Sequence, residues 1–143
     1  EHFDILRRLS FFHDFSHSEI RELLRASEWR EYLGSDEIVR EGEMDDRFYV
    51  VVSGRVSVER NGRSLGSLGE GDCFGEAGYN SGARSSASIR ADGPVTVLSV
   101  SATLLEQVSA ECQLRFNKVF LRELIRRLQG AGAGSSGGGA GTA

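Results

Sequence analysis

Apolar positions along the chain change their period twice. Phe3, Ile5, Leu6 and Leu9 make a short helical stripe that runs into Phe11 and Phe12. Ser16-His17-Ser18-Glu19 then has the spacing of a capping box, with Phe15 and Ile20 placed as a hydrophobic staple and Ile20, Leu23 and Leu24 following at helical period. A helix is predicted over Ser18–Ser27. From Trp29 the pattern becomes that of short strands: Trp29 and Tyr32, Ile38 and Val39, the run Phe48–Val52, Val56 and Val58, Leu65 and Leu68, then Val95, Val97 and Val100. Between them stand Gly34-Ser35-Asp36, Ser53-Gly54, Asn61-Gly62 and Gly69-Glu70-Gly71-Asp72. Asn61-Gly62 suits a two-residue hairpin, because a type I′ turn needs two positive φ angles in succession. After Ser101 the helical period returns with Leu104, Leu105 and Val108, and then with Leu114, Phe116, Val119, Phe120, Leu121, Leu124, Ile125 and Leu128. The last helix is predicted from about Glu111 to Gln129. It is apolar on more than one face, so one face can serve a β core while another is left for a ligand, a neighbouring domain or a second copy.

Glycine sharpens this division. Seven of the eighteen glycines fall in the last fourteen residues, and the other eleven all lie between Gly34 and Gly93. The central block therefore reads as turn-rich β structure bracketed by helices, with many short strands favouring a sandwich or barrel. Residues 130–143 carry no charge and no large apolar side chain, so burial cannot offset the entropy of ordering them. The expected division is one domain over 1–129 and a Gly/Ser-rich tail or linker over 130–143.

Charge and composition narrow the partners. Seventeen basic and twenty-one acidic residues leave a formal charge of −4 over 143 residues, which gives no strong footprint for nucleic acid. No apolar run approaches the roughly 20 residues that span a bilayer. The start at Glu1 has neither a basic nor an apolar leader segment, so the chain reads as an excised piece. Two cysteines without CxxC spacing suit a reducing cytoplasm, and His13 with His17 makes too thin a ligand set for a metal.

Candidate chemistry concentrates in Gly69–Ser88. This stretch is neither a Walker A loop nor a dinucleotide fingerprint. It offers small residues that let backbone approach a ligand, a carboxylate at Glu76, a guanidinium at Arg84 and hydroxyls at Ser85 and Ser86. A carboxylate accepts hydrogen bonds from ribose hydroxyls, while amides and a guanidinium satisfy a phosphate, so the set suits a sugar phosphate. Read from the residues alone, a surface loop with a weak Glu–Arg pair is the other interpretation.

Four stretches in order, Glu41-Gly42-Glu43, Phe48–Val56, Gly71–Glu76 and Arg84–Ser88, closely resemble the cyclic nucleotide-binding domain family, with coverage from about Leu9 to Leu128. The resemblance implies a mainly β fold with flanking helices: an eight-stranded β jelly roll with N-terminal helices and a C-terminal helix. It also implies a phosphate-binding cassette that holds cAMP or cGMP, with cAMP expected ahead of cGMP. By position, Glu76 would bind the ribose 2′-hydroxyl and Gly75 and Ala77 would offer amides. An arginine would pair with the cyclic phosphate, and Ser86 and Ala87 would follow it near phosphate or base. The chain departs from the family here. Ungapped alignment puts Ser85 at the phosphate-arginine position and Arg84 one residue early. In an extended segment Arg84 would face away from the phosphate, and losing a charge-assisted bond costs about 1.5–3 kcal/mol.

The implied function is a regulatory module that signals through its C-terminal helix to an effector domain in the same polypeptide. Gly78 and Tyr79 after the Glu are similar to cassettes of domains appended to bacterial protein kinases. The competing reading is a degenerate fold with no nucleotide, used for protein contacts or as a homodimer. No catalytic set is visible, and an enzyme is not expected.

Overall fold

The structure, a computed structural model, describes residues 2–75 and 84–134. A short helix α1 (His2–Arg7) and a 3-10 turn (Ser10–Phe12) lead into α2 (His17–Arg25). The capping box forms as the spacing predicts. Ser16 Oγ accepts the Glu19 N–H at 3.2 Å and the Glu19 carboxylate accepts the Ser16 N–H at 2.8 Å. Helix α2 stops two residues before the predicted end, because Ser27 is taken into β1 (Ser27–Tyr32), where it pairs with Val100. Cross-strand pairing outweighs the local helical preference there.

Seven more strands follow: β2 (Glu37–Val39), β3 (Arg47–Ser53), β4 (Val56–Arg60), β5 (Arg63–Leu68), β6 (Cys73–Phe74), β7 (Ser88–Ala91) and β8 (Val95–Ser101). They build two antiparallel four-stranded sheets, β1-β8-β3-β6 and β2-β7-β4-β5, whose crossovers give the jelly roll that the sequence implied. Asn61 at φ 53° and Gly62 at φ 76° make the predicted tight turn between paired Arg60 and Arg63.

Strand β3 shows how the layers are made. Phe48, Val50 and Val52 point to one side, into a core shared with the helices, whereas Tyr49 and Val51 point to the other, into the space between the sheets. Strand β8 divides the same way, with Leu98 and Val100 toward the helices and Val95 and Val97 between the sheets. Strands β3 and β8 are thus buried on both faces, which is why Phe48–Val52 reads as an unbroken apolar run.

Two helices follow β8. Ser101 Oγ caps α3 (Ala102–Leu105) by accepting the Leu104 N–H at 3.3 Å. The C-terminal helix α4 (Ala110–Gly134) continues five residues past Gln129, where the sequence reading placed the edge of the tail. Alanines alternating with Gly130, Gly132 and Gly134 carry the helix on, at a cost of about 1 kcal/mol for each glycine. The rest of the expected tail lies outside the described residues.

The first half of helix α4 is strapped to the N-terminal segment. The Glu22 carboxylate accepts the Ser109 N–H at 2.7 Å and the Ser109 hydroxyl at 3.0 Å, setting an anion at the start of α4. Farther along, Arg115 pairs with Glu19 at 3.5 Å and Arg122 with Asp14 at 2.7 Å. Burial pushes the Cys112 thiol up to about 12, so this cysteine stays protonated and acts as a packing residue.

Candidate functional site

The candidate site lies where β6 ends and β7 begins, at the edge of the space between the sheets. Gly75 follows β6 with φ +89°, a conformation that L side chains rarely adopt. A Cβ there would stand 2.6 Å from the Arg47 carbonyl oxygen and 3.1 Å from the Tyr49 ring. Only glycine lets the chain press onto β3 at this point. Tyr49 is itself held: its ring stacks on Phe74 with centroids 4.8 Å apart, and its hydroxyl donates to the Asp45 carboxylate. Desolvation raises the Tyr49 pKa, so the phenol keeps its proton and the bond.

The other end of the candidate cassette is tied down by backbone. Ser85 donates its N–H to the Glu43 carbonyl at 2.9 Å, and the Ser85 carbonyl accepts the Gly42 N–H at 2.9 Å. Arg84 bridges Met44 in the antiparallel sense, and its guanidinium donates to the Gly42 carbonyl at 2.9 Å. One step on, Arg60 Nε donates to the Ser86 carbonyl at 2.9 Å, and Ser88 Oγ accepts the Glu41 N–H at 2.9 Å. Residues 84–88 are therefore clamped to the β2–β3 loop and to the end of β4.

These contacts place the predicted residues individually. Ala87 is fully buried in the inter-sheet core beside Ile89, and Ser85 and Ser86 are half-buried at its margin. Arg84 is exposed, with Met44 exposed opposite it. Ala87 therefore belongs to the inter-sheet core, Ser85 and Ser86 lie at its margin, the Arg84 side chain runs along the β2–β3 loop, and Gly75 sits at the end of β6 against β3. Glu76 and Ala77 lie outside the described residues, as do Gly78 and Tyr79.

Three supporting residues were not singled out in the sequence. Arg47 and Tyr49 buttress Gly75, and Arg60 holds Ser86. Arg47 also donates to Ser99 Oγ at 3.1 Å and stands 3.4 Å from the Glu28 carboxylate, which Arg30 shares. Those two guanidiniums hold the Glu28 carboxyl below its usual range, Arg30 acting most strongly. A signal for Arg60 was present, since it flanks the Asn61-Gly62 turn, but nothing local ties it to position 86.

The space between the sheets is built from small and medium side chains, Val39, Val51, Val56, Val58, Ala87, Ala91 and Val97 among them. A separate groove of about 460 Å³, lined by His2, Ile5, Trp29, Glu31 and Glu70 among others, lies against α1, and among the described residues its lining includes none of the predicted cassette. Among the described residues no group of three or more His, Cys, Asp or Glu is placed to hold a metal ion, and no helix is long and apolar enough to cross a membrane.

The sequence profile of the cyclic nucleotide-binding domain matches residues 29–112, from β1 into the first turn of α4 and across both clamped ends. The chain belongs to that family. It is similar to the cGMP-dependent protein kinase of Toxoplasma gondii, with 32% identity over 72 residues that make up 50% of this chain and 7% of that protein. The cAMP-dependent protein kinase regulatory subunit of Debaryomyces hansenii is 30% identical over 96 residues, covering 66% of this chain and 21% of that protein. In three dimensions, a solved cyclic nucleotide-binding domain from Methylobacillus flagellatus superposes with a TM-score of 0.80 at 23% identity, covering 90% of this chain and 77% of that one. The chain thus spans 7% and 21% of the length of these two curated relatives.

Proposed function

We propose that this cyclic nucleotide-binding domain is a sensor that takes up a cyclic purine mononucleotide, cAMP ahead of cGMP, and passes the event through α4 to an effector domain. The observation that carries this is Gly75: a glycine at φ +89° pressed to within a Cβ's width of β3 fixes where the cassette leaves the sheet. In the assignment, Gly75 and Ala77 offer amides, Glu76 takes the ribose hydroxyl, and Ser85, Ser86 and Ala87 face phosphate and base. Arg84 reaches the phosphate after leaving the Gly42 carbonyl. The relatives, a cGMP-dependent kinase and a regulatory subunit of a cAMP-dependent one, support a cyclic nucleotide and an effector kinase in the same polypeptide or assembly. They divide on the base.

A second reading is favoured by one observation. The exposed Arg84 guanidinium is engaged by Gly42, and an uncharged Ser85 stands where the phosphate cation is expected. A domain arranged so would bind no nucleotide and serve protein contacts. Calorimetric titration of the chain with cAMP, cGMP, a cyclic dinucleotide and 5′-AMP separates the two. Micromolar or tighter binding selective for cAMP or cGMP is expected, with Arg84→Ala weakening it by about ten- to a hundredfold. Absence of heat with every nucleotide on folded protein would favour the second reading.

A further inference from the structure

A cyclic phosphate is an anion, and an anion drawn into a half-buried site needs a cation beside it. At the position expected to carry that cation stands the neutral Ser85, and the exposed Arg84 guanidinium is engaged by the Gly42 carbonyl at 2.9 Å. A second guanidinium stands at the same margin. Arg60 ends β4, and strand alternation puts it on the face of Val56 and Val58, which pack between the sheets. It is half-buried there, and its Nε donates to the Ser86 carbonyl at 2.9 Å. Its neighbour Glu59 lies on the opposite face and accepts from Arg90 at 3.3 Å. Across the turn, Arg60 pairs in register with Arg63, so two guanidiniums share one side of the hairpin base. Like charges set directly opposite each other cost stability, and an anion between them offsets that cost.

We propose that Arg60 is a second cation for the cyclic phosphate, reaching it from β4 while Arg84 reaches it from the cassette. This rests on the cyclic nucleotide reading of the site. A guanidinium carries five N–H donors in a planar fork, so one of them can hold the Ser86 carbonyl while others meet phosphate oxygens. The Ser86 bond also sets where the fork stands, one residue beyond the uncharged Ser85. A cation carried by a strand keeps the phosphate paired although Ser85 brings no charge to it. The phosphate is common to cAMP and cGMP. An arginine on the base edge would instead favour guanine, whose O6 and N7 it can take together.

Calorimetric titration of the 143-residue chain with cAMP and cGMP at several salt concentrations tests it. Arg60→Gln keeps an N–H donor and removes the charge. It should weaken both nucleotides by the same factor, about ten- to a hundredfold, and flatten the dependence of affinity on salt. Arg60→Lys should restore that dependence. Arg84→Ala combined with Arg60→Gln should bind more weakly than either single variant. Unchanged affinity in Arg60→Gln overturns the proposal and leaves the cyclic nucleotide reading intact. So does a loss confined to cGMP, which would move Arg60 to the base. An equal loss that keeps the parent's salt dependence also overturns it, because Arg60 would then only prop Ser86. No binding by the folded parent chain overturns the cyclic nucleotide reading itself, and this proposal with it.

Discussion

The two cores of this domain share a wall and differ in what fills them. On the helical side, Phe11, Phe12, Phe15, Phe48, Phe116 and Phe120 interlock, with Phe48 set edge-on to Phe116 at 5.6 Å and to Phe120 at 4.9 Å. Between the sheets the filling is mostly valine and alanine, with Tyr49 and Phe74 stacked beneath Gly75. Large rings in edge contacts give one tight arrangement and fix where α4 sits. Small side chains between the sheets pack with fewer ring contacts, so this core holds the strands without the aromatic interlock of the helical side. The aromatic interlock lies on one side and the proposed recognition site borders the other, and β3 contributes alternate residues to both.

The largest expected effect comes from breaking the aromatic side. Phe116→Ala removes a fully buried ring that touches Phe11, Phe48 and Phe120, and should cost about 3–5 kcal/mol. Against a total of roughly 5–15 kcal/mol for a domain, that leaves little reserve. Val97→Ala, in the inter-sheet core, removes two methyl groups and should cost roughly 2 kcal/mol. Urea denaturation of both variants measures the difference. Equal losses would mean that the aromatic cluster is not the main anchor and would undo the division drawn between the cores.

Next in size is Gly75→Ala, which acts on the recognition side. The new Cβ meets the Arg47 carbonyl at 2.6 Å in a left-handed conformation, a strain of about 1–3 kcal/mol. Because the backbone of β3 cannot yield easily, the start of the cassette should shift while the helical core stays intact. The expected signature is lost nucleotide heat in calorimetry with only a modest fall in the urea midpoint. Full retention of binding would show that the exit angle at Gly75 does not position the cassette.

Much of the fold was legible because its signals are local. The Ser16–Glu19 capping box, the Asn61-Gly62 turn and the apolar run of β3 each need only a few neighbouring residues to be understood. The candidate site was marked in the sequence only as a proposal, by the Gly-rich stretch and the small residues around Ser86. Its supports were not, because Arg47 and Tyr49 reach Gly75, and Arg60 reaches Ser86, only through tertiary pairing. The Glu22 cap on Ser109 joins residues 87 positions apart and leaves no pattern at either end. Helix ends failed for opposite reasons: at Ser27 a strand partner shortened α2, and at Gly130 nothing in the alternating Gly/Ala sequence marks where α4 continues.

The smallest effect sharpens the comparison from the helical side. Arg122 holds the Asp14 carboxyl below its usual value, chiefly through their hydrogen bond. A carboxylate with a lowered folded-state pKa contributes stability that is fully present above its unfolded pKa and is lost as pH falls through the folded one. Asp14 is exposed, so the contribution is small and screened by salt. Thermal melts between about pH 5 and pH 2 should therefore show a slightly shallower acid loss for Asp14→Asn than for the parent chain, with the gap closing at high salt. Glu37 on the second sheet is lowered in the same way, first by Arg40, and so gives the matching control. If Asp14→Asn and Glu37→Gln flatten the acid limb alike while only Asp14→Asn speeds hydrogen exchange in α4, the strap belongs to the helical core alone. Faster exchange in α4 from Glu37→Gln as well would mean that the two cores open together, and that the small-residue side is mechanically tied to the aromatic one.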